Sequence, residues 1–155
     1  MEKISDHISY KEATFSQTAT KQGIDNTPSE EQLCRMQTLA ENVFEPLRAY
    51  VNGPIKINSF FRSMALNRAI GGAKSSQHMR GEAIDIDDTF GHMSNKEMFI
   101  FIKDELDYDQ LIWEFGDDEN PDWIHVSYAS PENNRRRILK AARIKGKTTY
   151  SIMNL

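Results

Sequence analysis

The sequence of 155 residues contains little cysteine and no long apolar run. Its one thiol, Cys34, cannot form an internal disulfide or a cysteine-based zinc cluster, so a metal site would have to use His, Asp or Glu. No stretch approaches the roughly 20 apolar residues that span a bilayer, so we expect no membrane insertion. The N-terminus lacks a basic stretch followed by an apolar one, and we therefore expect synthesis in the cytoplasm without a signal peptide.

The remaining composition is typical of a globular protein. Hydrophobic residues make up 39% and charged residues 27% of the chain, which excludes the disordered and fibrous classes. The length suits one hydrophobic core, and no internal repeat or linker divides the chain. We predict a single domain over residues 1–155 and expect it to be a monomer.

Charge is distributed unevenly along the chain. Residues 132–155 contain seven Lys and Arg and one acidic residue, whereas residues 1–131 contain 12 and 22. This basic C-terminal segment could contact nucleic acid or an anionic envelope polymer, or form a solvated face that balances the acidic remainder. Aromatic residues are not interleaved with the basic ones, so we expect no nucleic-acid partner.

Hydrophobic periodicity predicts a mixture of helices and strands after an irregular N-terminal segment. Predicted helices cover about 28–51, 63–70, 94–106 and 133–144, and Pro46 is expected to kink or split the first of them. Predicted strands cover 55–60, 82–87, 110–115 and 123–128. Because these elements follow no strict βαβ order, we predict an α+β fold with a mostly antiparallel sheet flanked by helices.

Two predicted strands each place a polar side chain opposite an aliphatic layer. Asp85 lies opposite Ile84 and Ile86, and His125 likewise alternates with the aliphatic residues of its own strand. Antiparallel neighbouring strands could set Asp85 and His125 side by side, with His78 in the loop before the first strand. Two histidines and an aspartate are donors that zinc accepts, and a hydrolytic zinc needs about three protein ligands and an open position.

Two local sequence patterns carry a family resemblance. Residues 76–85 have the form SxHxxGxAxD, and the last strand contains WIHV at 123–126. These motifs, with supporting segments at 23–28, 57–63, 66–67 and 71–72, resemble the zinc D-Ala-D-Ala carboxypeptidase and dipeptidase family. These LAS-type metallopeptidases share a fold with the hedgehog signalling domain. The resemblance extends over about residues 8–128 and is closest to the short single-domain members of bacteria and phages.

The resemblance implies roles for five residues. His78, Asp85 and His125 match the ligands of one Zn2+ ion. Arg62 matches an arginine that polarises the scissile carbonyl and its oxyanion or grips the substrate carboxylate; a plain surface arginine is the alternative. Ser76 matches a residue that lines the substrate site, although it could equally cap its own loop.

Two acids compete for the role of general base. Asp122 lies three residues before the last implied ligand, where family members often carry an acid or a histidine, but its side chain has a shorter reach than Glu. Glu114 is an isolated acid within an apolar predicted strand, and it could project to the same face as His125. Burial there would raise its pKa toward the value that a base requires.

The implied activity is hydrolysis of a peptide bond in the peptidoglycan stem peptide by a water that zinc and an acidic base activate. The bond lies either between terminal D-alanines or at an interior position. The alternative is a zinc-containing, non-catalytic binding module of the same fold that recognises cell-wall peptide. Since the substrate lies outside the cytoplasm, we expect the enzyme to act at the cell wall after holin release or on a phage particle.

Overall fold

The computed structural model describes residues 1–154. In chain order, its elements are β1 (Lys3–Ser5), β2 (Ile8–Ser9), α1 (Tyr10–Thr14), α2 (Gln17–Gln22), α3 (Glu30–Leu39), a π-helical turn (Ala40–Phe44), α4 (Glu45–Val51), β3 (Lys56–Ser59), α5 (Met64–Ala69), a 3-10 helix (Gln77–Arg80), β4 (Ala83–Asp87), α6 (Asn95–Glu105), β5 (Gln110–Glu114), β6 (Trp123–Ser127), β7 (Arg137–Ile144) and β8 (Lys147–Ile152). Among the described residues, no helix is long and apolar enough to span a bilayer.

Six strands form the main sheet in the order β3-β4-β6-β5-β7-β8. All neighbouring pairs are antiparallel except β5 and β7, which are parallel. The predicted α+β fold with a mostly antiparallel sheet is therefore confirmed. The four predicted strands appear as β3, β4, β5 and β6, and each begins and ends within one residue of its predicted bounds.

The two faces of this sheet are covered differently. One face, which we call the core face, carries Ile84, Leu111 and Ile124, and these side chains are fully buried against helices α3, α4 and α6. The opposite face carries Asp85, Glu114 and His125, because successive residues of a strand point to opposite sides. We call it the site face. Ala83 of β4 and Ser127 of β6 pair at one end of this face and are completely buried.

The predicted helix over 28–51 is divided near Pro46. Ser29 begins it with a capping box in which Gln32 completes the reciprocal bonds. Pro46 has no N–H to donate, and the turn before it widens so that Glu45 N–H donates to Ala40 O, five residues back. The expectation of an interruption at Pro46 is confirmed.

The N-terminal segment was predicted to be irregular, but it forms two short strands and two short helices. Ser9 and Ser16 accept hydrogen bonds from Glu12 N–H and Ala19 N–H, and they thereby begin the short helices α1 and α2. These serine caps are the local signal that the periodicity analysis missed, because helices this short contain too few apolar residues to show a period.

The predicted C-terminal helix over 133–144 is wrong. Residues 137–152 instead form a C-terminal hairpin, in which β7 pairs in parallel with β5 and in antiparallel with β8. Lys145 and Gly146 both have positive φ, which is the backbone of a two-residue hairpin turn. Arg, Leu, Lys and Ala favour a helix intrinsically, but pairing with a distant strand outweighs that preference.

The basic C-terminal segment is partly neutralised by acids from the rest of the chain. Arg135 pairs with Asp109, Arg136 with Asp107 and Lys140 with Asp118. These contacts favour the interpretation of the segment as a face that balances the acidic remainder, and the absence of a nucleic-acid partner stays a prediction.

Candidate active site

Strand pairing brings Asp85 and His125 together. The two residues are direct partners in the β4–β6 ladder, and His125 Nδ1 lies 2.9 Å from Asp85 Oδ1. Asp85 is buried, with 8% of its surface exposed, and the His125 side chain is 13% exposed. The predicted juxtaposition of these side chains is thus present in the fold.

The 3-10 helix delivers His78 to the same place. Ser76 Oγ accepts a hydrogen bond from His78 N–H at the start of this helix, and Gly81 ends it with a φ of +77°. A Cβ at Gly81 would lie 2.6 Å from Gln32 O, so neither the backbone angle nor the space suits another residue. The Ser76 hydroxyl therefore caps its loop, and its contact with substrate stays a prediction.

The His78 ring is oriented so that one nitrogen faces the carboxylate without a partner. Its Nδ1 donates to Phe60 O at 2.7 Å, which leaves the lone pair on Nε2. Nε2 is buried, makes no hydrogen bond within the described part of the chain, and lies 3.3 Å from Asp85 Oδ2. A lone pair facing a carboxylate oxygen is stable only when a cation or a proton lies between them.

The geometry of the three side chains fits a divalent cation. One ligand atom each from His78, Asp85 and His125 lies within 4.8 Å of the other two. His125 Nδ1 lies 2.9 Å from Asp85 Oδ1 and His78 Nε2 lies 3.3 Å from Oδ2, close to the roughly 3.4 Å that separates two ligand atoms of one tetrahedral zinc. Two imidazoles and one carboxylate are a donor set that zinc prefers.

Electrostatics favours the ionised carboxylate and neutral imidazole that metal ligation requires. Burial alone would raise the pKa of Asp85, but the adjacent imidazoles of His78 and His125, the second of which hydrogen-bonds the carboxylate, hold it well below its usual range. Burial lowers the pKa of His78, and the Asp85 carboxylate opposes this only in part. Asp85 is therefore ionised at neutral pH and the buried His78 ring favours its neutral form.

Arg62 reaches the centre from the segment between β3 and α5. Its Nη2 lies 3.4 Å from Asp85 Oδ2, and its side chain is 15% exposed. Ser59 Oγ accepts from Arg62 Nε at 3.0 Å, and Asn67 Oδ1 accepts from Nη1 at 3.2 Å. A plain surface arginine would not be held in this way, so the side chain is aimed at the site.

The two candidate bases lie in different environments. Glu114 is buried on the site face of β5, and burial raises its pKa to about 7; the nearby charges of Asp85, Arg62 and His125 modify that shift. Asp122 is exposed just before β6, where its N–H donates to Glu114 O at 2.9 Å. Of the two acids, the fold buries Glu114 beside the cluster and leaves Asp122 at the surface.

Sequence reasoning missed the residues that support these side chains. Asn67 is buried and holds Arg62 while its Nδ2 donates to Ala73 O. Asp109, 2% exposed, accepts from Gln77 Nε2 and from three nitrogens of Arg135, which ties the loop before His78 to the start of the C-terminal segment. In the sequence, Asp109 and Arg135 are 26 residues apart and belong to no motif. No local pattern could therefore have predicted this network.

Comparison with known proteins agrees with this geometry. The family pattern described as Peptidase M15 matches residues 6–127. No curated protein matches the chain. Members of the matched family are zinc metallopeptidases, and the match includes all three residues of the His78–Asp85–His125 cluster as well as Arg62 and Glu114. The chain therefore belongs to the Peptidase M15 family, the zinc metallopeptidases of D-Ala-D-Ala carboxypeptidase type.

Proposed function

We propose that this metallopeptidase hydrolyses a peptide bond in the peptidoglycan stem peptide, as a D-Ala-D-Ala carboxypeptidase or an endopeptidase. The observation that carries the proposal is the buried, unpartnered Nε2 of His78, which faces Asp85 beside His125. The proposed ligands of one Zn2+ ion are His78, Asp85 and His125. When bound, zinc lowers the pKa of a water and polarises a carbonyl.

Glu114 is the proposed general base. Its carboxylate takes a proton from the attacking water and returns it to the departing amine, and a pKa near 7 suits both transfers. Asp122 is the weaker candidate because its side chain is exposed, whereas Glu114 is buried on the same face as His125.

Arg62 is the proposed electrostatic partner of the substrate. Its guanidinium stays charged and donates in a fork, so it stabilises the oxyanion or binds the terminal carboxylate of a stem peptide. Ser59 and Asn67 fix its direction before substrate arrives, which reduces the reorganisation needed in the transition state. Ser76 is a further proposed substrate contact at the rim of the His78 loop.

The cell wall is the proposed place of action, since the proposed substrate lies outside the cytoplasm. Release through a holin and delivery on a phage particle are the routes that the family resemblance suggests. The same resemblance supports cell-wall peptide as the substrate class.

The test compares wild type, Glu114→Gln and Asp122→Asn on purified peptidoglycan. Released peptides and D-alanine are quantified by mass spectrometry, and zinc content is measured in the same samples. We expect Glu114→Gln to lose activity by about 10²- to 10⁴-fold with its zinc retained, and Asp122→Asn to stay close to wild type. Zinc binding without release of any peptide by wild type would overturn the proposal in favour of a binding module.

A further inference from the structure

The C-terminal hairpin lies beyond residues 6–127, which match the family pattern, yet it extends the site face. Glu114 of β5 pairs with Ala141 of β7, and Ala141 pairs with Tyr150 of β8. Residues directly opposite one another on neighbouring strands share a face of the sheet. Glu114, Ala141 and Tyr150 therefore form one row on the site face.

Ala141 is the small residue in the middle of this row. It is fully buried, and its methyl group is the only side chain between Glu114 and Tyr150 in the row. Two strand spacings place the Cα atoms of Glu114 and Tyr150 about 10 Å apart. A tyrosine and a glutamate side chain that lean toward each other over a methyl group can cover that distance.

Tyr150 lies on the site face in the row of Glu114, and its side chain is available to a ligand. Burial raises the pKa of Tyr150, and the negative charges of Glu114 and Asp85 raise it further. The residue is nevertheless 57% exposed. The hairpin is held by backbone pairing and by Thr149 Oγ1 donating to Ala142 O, so its structure does not depend on the Tyr150 hydroxyl.

A small apolar cluster lies beside the row. Ile112, Leu139 and Ala141 form a small buried cluster on the site face, and Phe115 packs against it. Ile152 pairs with Leu139 and is 73% exposed, so it continues this surface to the edge of the sheet. The exposed edge of the hairpin thus offers the apolar side chain of Ile152 and the hydroxyl of Tyr150 to a bound peptide.

We propose that Tyr150 is a substrate-binding residue, whose hydroxyl donates a hydrogen bond to a carbonyl or carboxylate of the peptide bound above Glu114, with the C-terminal hairpin as one wall of the cleft. This inference rests on the proposed function for the identity of the peptide. It assigns Tyr150 to binding, so the hydroxyl affects KM and peptide affinity more than kcat.

The test uses a soluble stem pentapeptide and two matched tyrosine variants of the full chain. Tyr150→Phe removes only the hydroxyl, and Tyr50→Phe makes the same change at an exposed tyrosine that stacks on Phe101 of α6, beyond the core face. KM and kcat are measured for both. Peptide affinity is measured by calorimetry in zinc-loaded Glu114→Gln, with and without Tyr150→Phe. We expect Tyr150→Phe to raise KM and weaken binding roughly three- to tenfold, with zinc content and kcat retained and Tyr50→Phe unchanged.

The outcomes separate this inference from the proposed function. Equal KM and equal affinity for the Tyr150 pair would overturn the role of Tyr150 and leave the hydrolase in place. Affinity that depends on Tyr150, without turnover by wild type, would overturn the hydrolase and support the role of Tyr150 in binding. No binding to zinc-loaded Glu114→Gln would overturn the inference itself, whatever the wild type hydrolyses.

Discussion

The two faces of the six-stranded sheet carry opposite chemistry on the same strands. On β4, Ile84 and Ile86 are buried against helices, whereas Asp85 between them turns to the cluster that fits a cation. On β6, His125 alternates with two fully buried aliphatic residues in the same way. The packed aliphatic layer on one face keeps the strand backbone rigid, and this rigidity positions the polar side chains on the other face.

If the faces divide their tasks in this way, substitutions on the site face change catalysis and metal binding with little change in stability. Substitutions on the core face lower the stability and leave catalysis and metal binding of the folded protein unchanged.

The pH profile of hydrolysis tests the site face. Burial raises the pKa of Glu114 to about 7, and a base acts only when it is deprotonated, so activity rises with pH through that region. The charge of a bound cation lowers a neighbouring carboxyl pKa, which places the acid limb of the loaded enzyme at or below pH 7. Below its midpoint we expect kcat to fall about tenfold per pH unit.

The control is the residual activity of Glu114→Gln, which should lack this limb. An unchanged limb in that variant would assign the titration to another group and contradict Glu114 as the base.

The core face is tested by Ile86→Ala. Ile86 is 1% exposed and packs within the main cluster, so its truncation should cost about 2–5 kcal/mol of unfolding free energy. We expect the folded fraction to keep wild-type zinc content and kcat. Urea unfolding monitored by circular dichroism gives the first quantity, and Ile86→Val, expected to cost about 0.5–1.5 kcal/mol, provides a graded control. Loss of zinc at unchanged stability would break the division between the faces.

A third test concerns the Asp109–Arg135 pair, which joins the site loop to the C-terminal segment. Hydrogen bonds from Arg135 hold the pKa of Asp109 below its usual range, so their stabilisation is present above the unfolded-state pKa of about 4 and is lost as pH falls through the lower folded value. Asp109→Asn should cost about 1–3 kcal/mol at pH 7. The difference between wild type and variant should shrink in acid, and a difference independent of pH would contradict the ionic contribution.

The smallest expected effect is at Gly72, which lies against the residues that hold Arg62. A Cβ there would overlap Asn67 Oδ1 and lie 3.2 Å from Arg62 Nη1. Gly72→Ala should therefore displace Asn67, loosen Arg62 and lower kcat/KM roughly fivefold. Gly71→Ala is the control, because its Cβ would meet nothing within 4 Å and its φ of +73° adds backbone strain alone. Equal losses of kcat/KM in the two variants would show that a general disturbance of the 71–72 turn, and not the displacement of Asn67 and Arg62, is responsible.

Local sequence patterns predicted the central half of the molecule well. Alternation in 82–87 and 123–128 placed Asp85 and His125 on one face, since each strand needs its aliphatic residues on the other. The C-terminal hairpin was missed because its pairing partner, β5, lies more than 20 residues earlier, and residues 137–144 are good helix formers. The turn at Lys145 and Gly146 was the local signal against a helix.

The site was predictable where a motif carried it and ambiguous where burial decided it. The histidines and Asp85 stand at motif positions, but the choice between Glu114 and Asp122 depends on which carboxylate the tertiary fold buries. The supports of Arg62 and the Asp109–Arg135 pair join residues whose relation is set only by the folded chain.

The central claim is that the site face is a zinc centre which hydrolyses cell-wall peptide. The most direct test measures zinc per chain by mass spectrometry, together with peptide release from purified peptidoglycan, for wild type and His125→Ala. The account predicts near-stoichiometric zinc and peptide release in wild type, with both lost together in the variant. Wild type that binds no zinc even when zinc is supplied would contradict it.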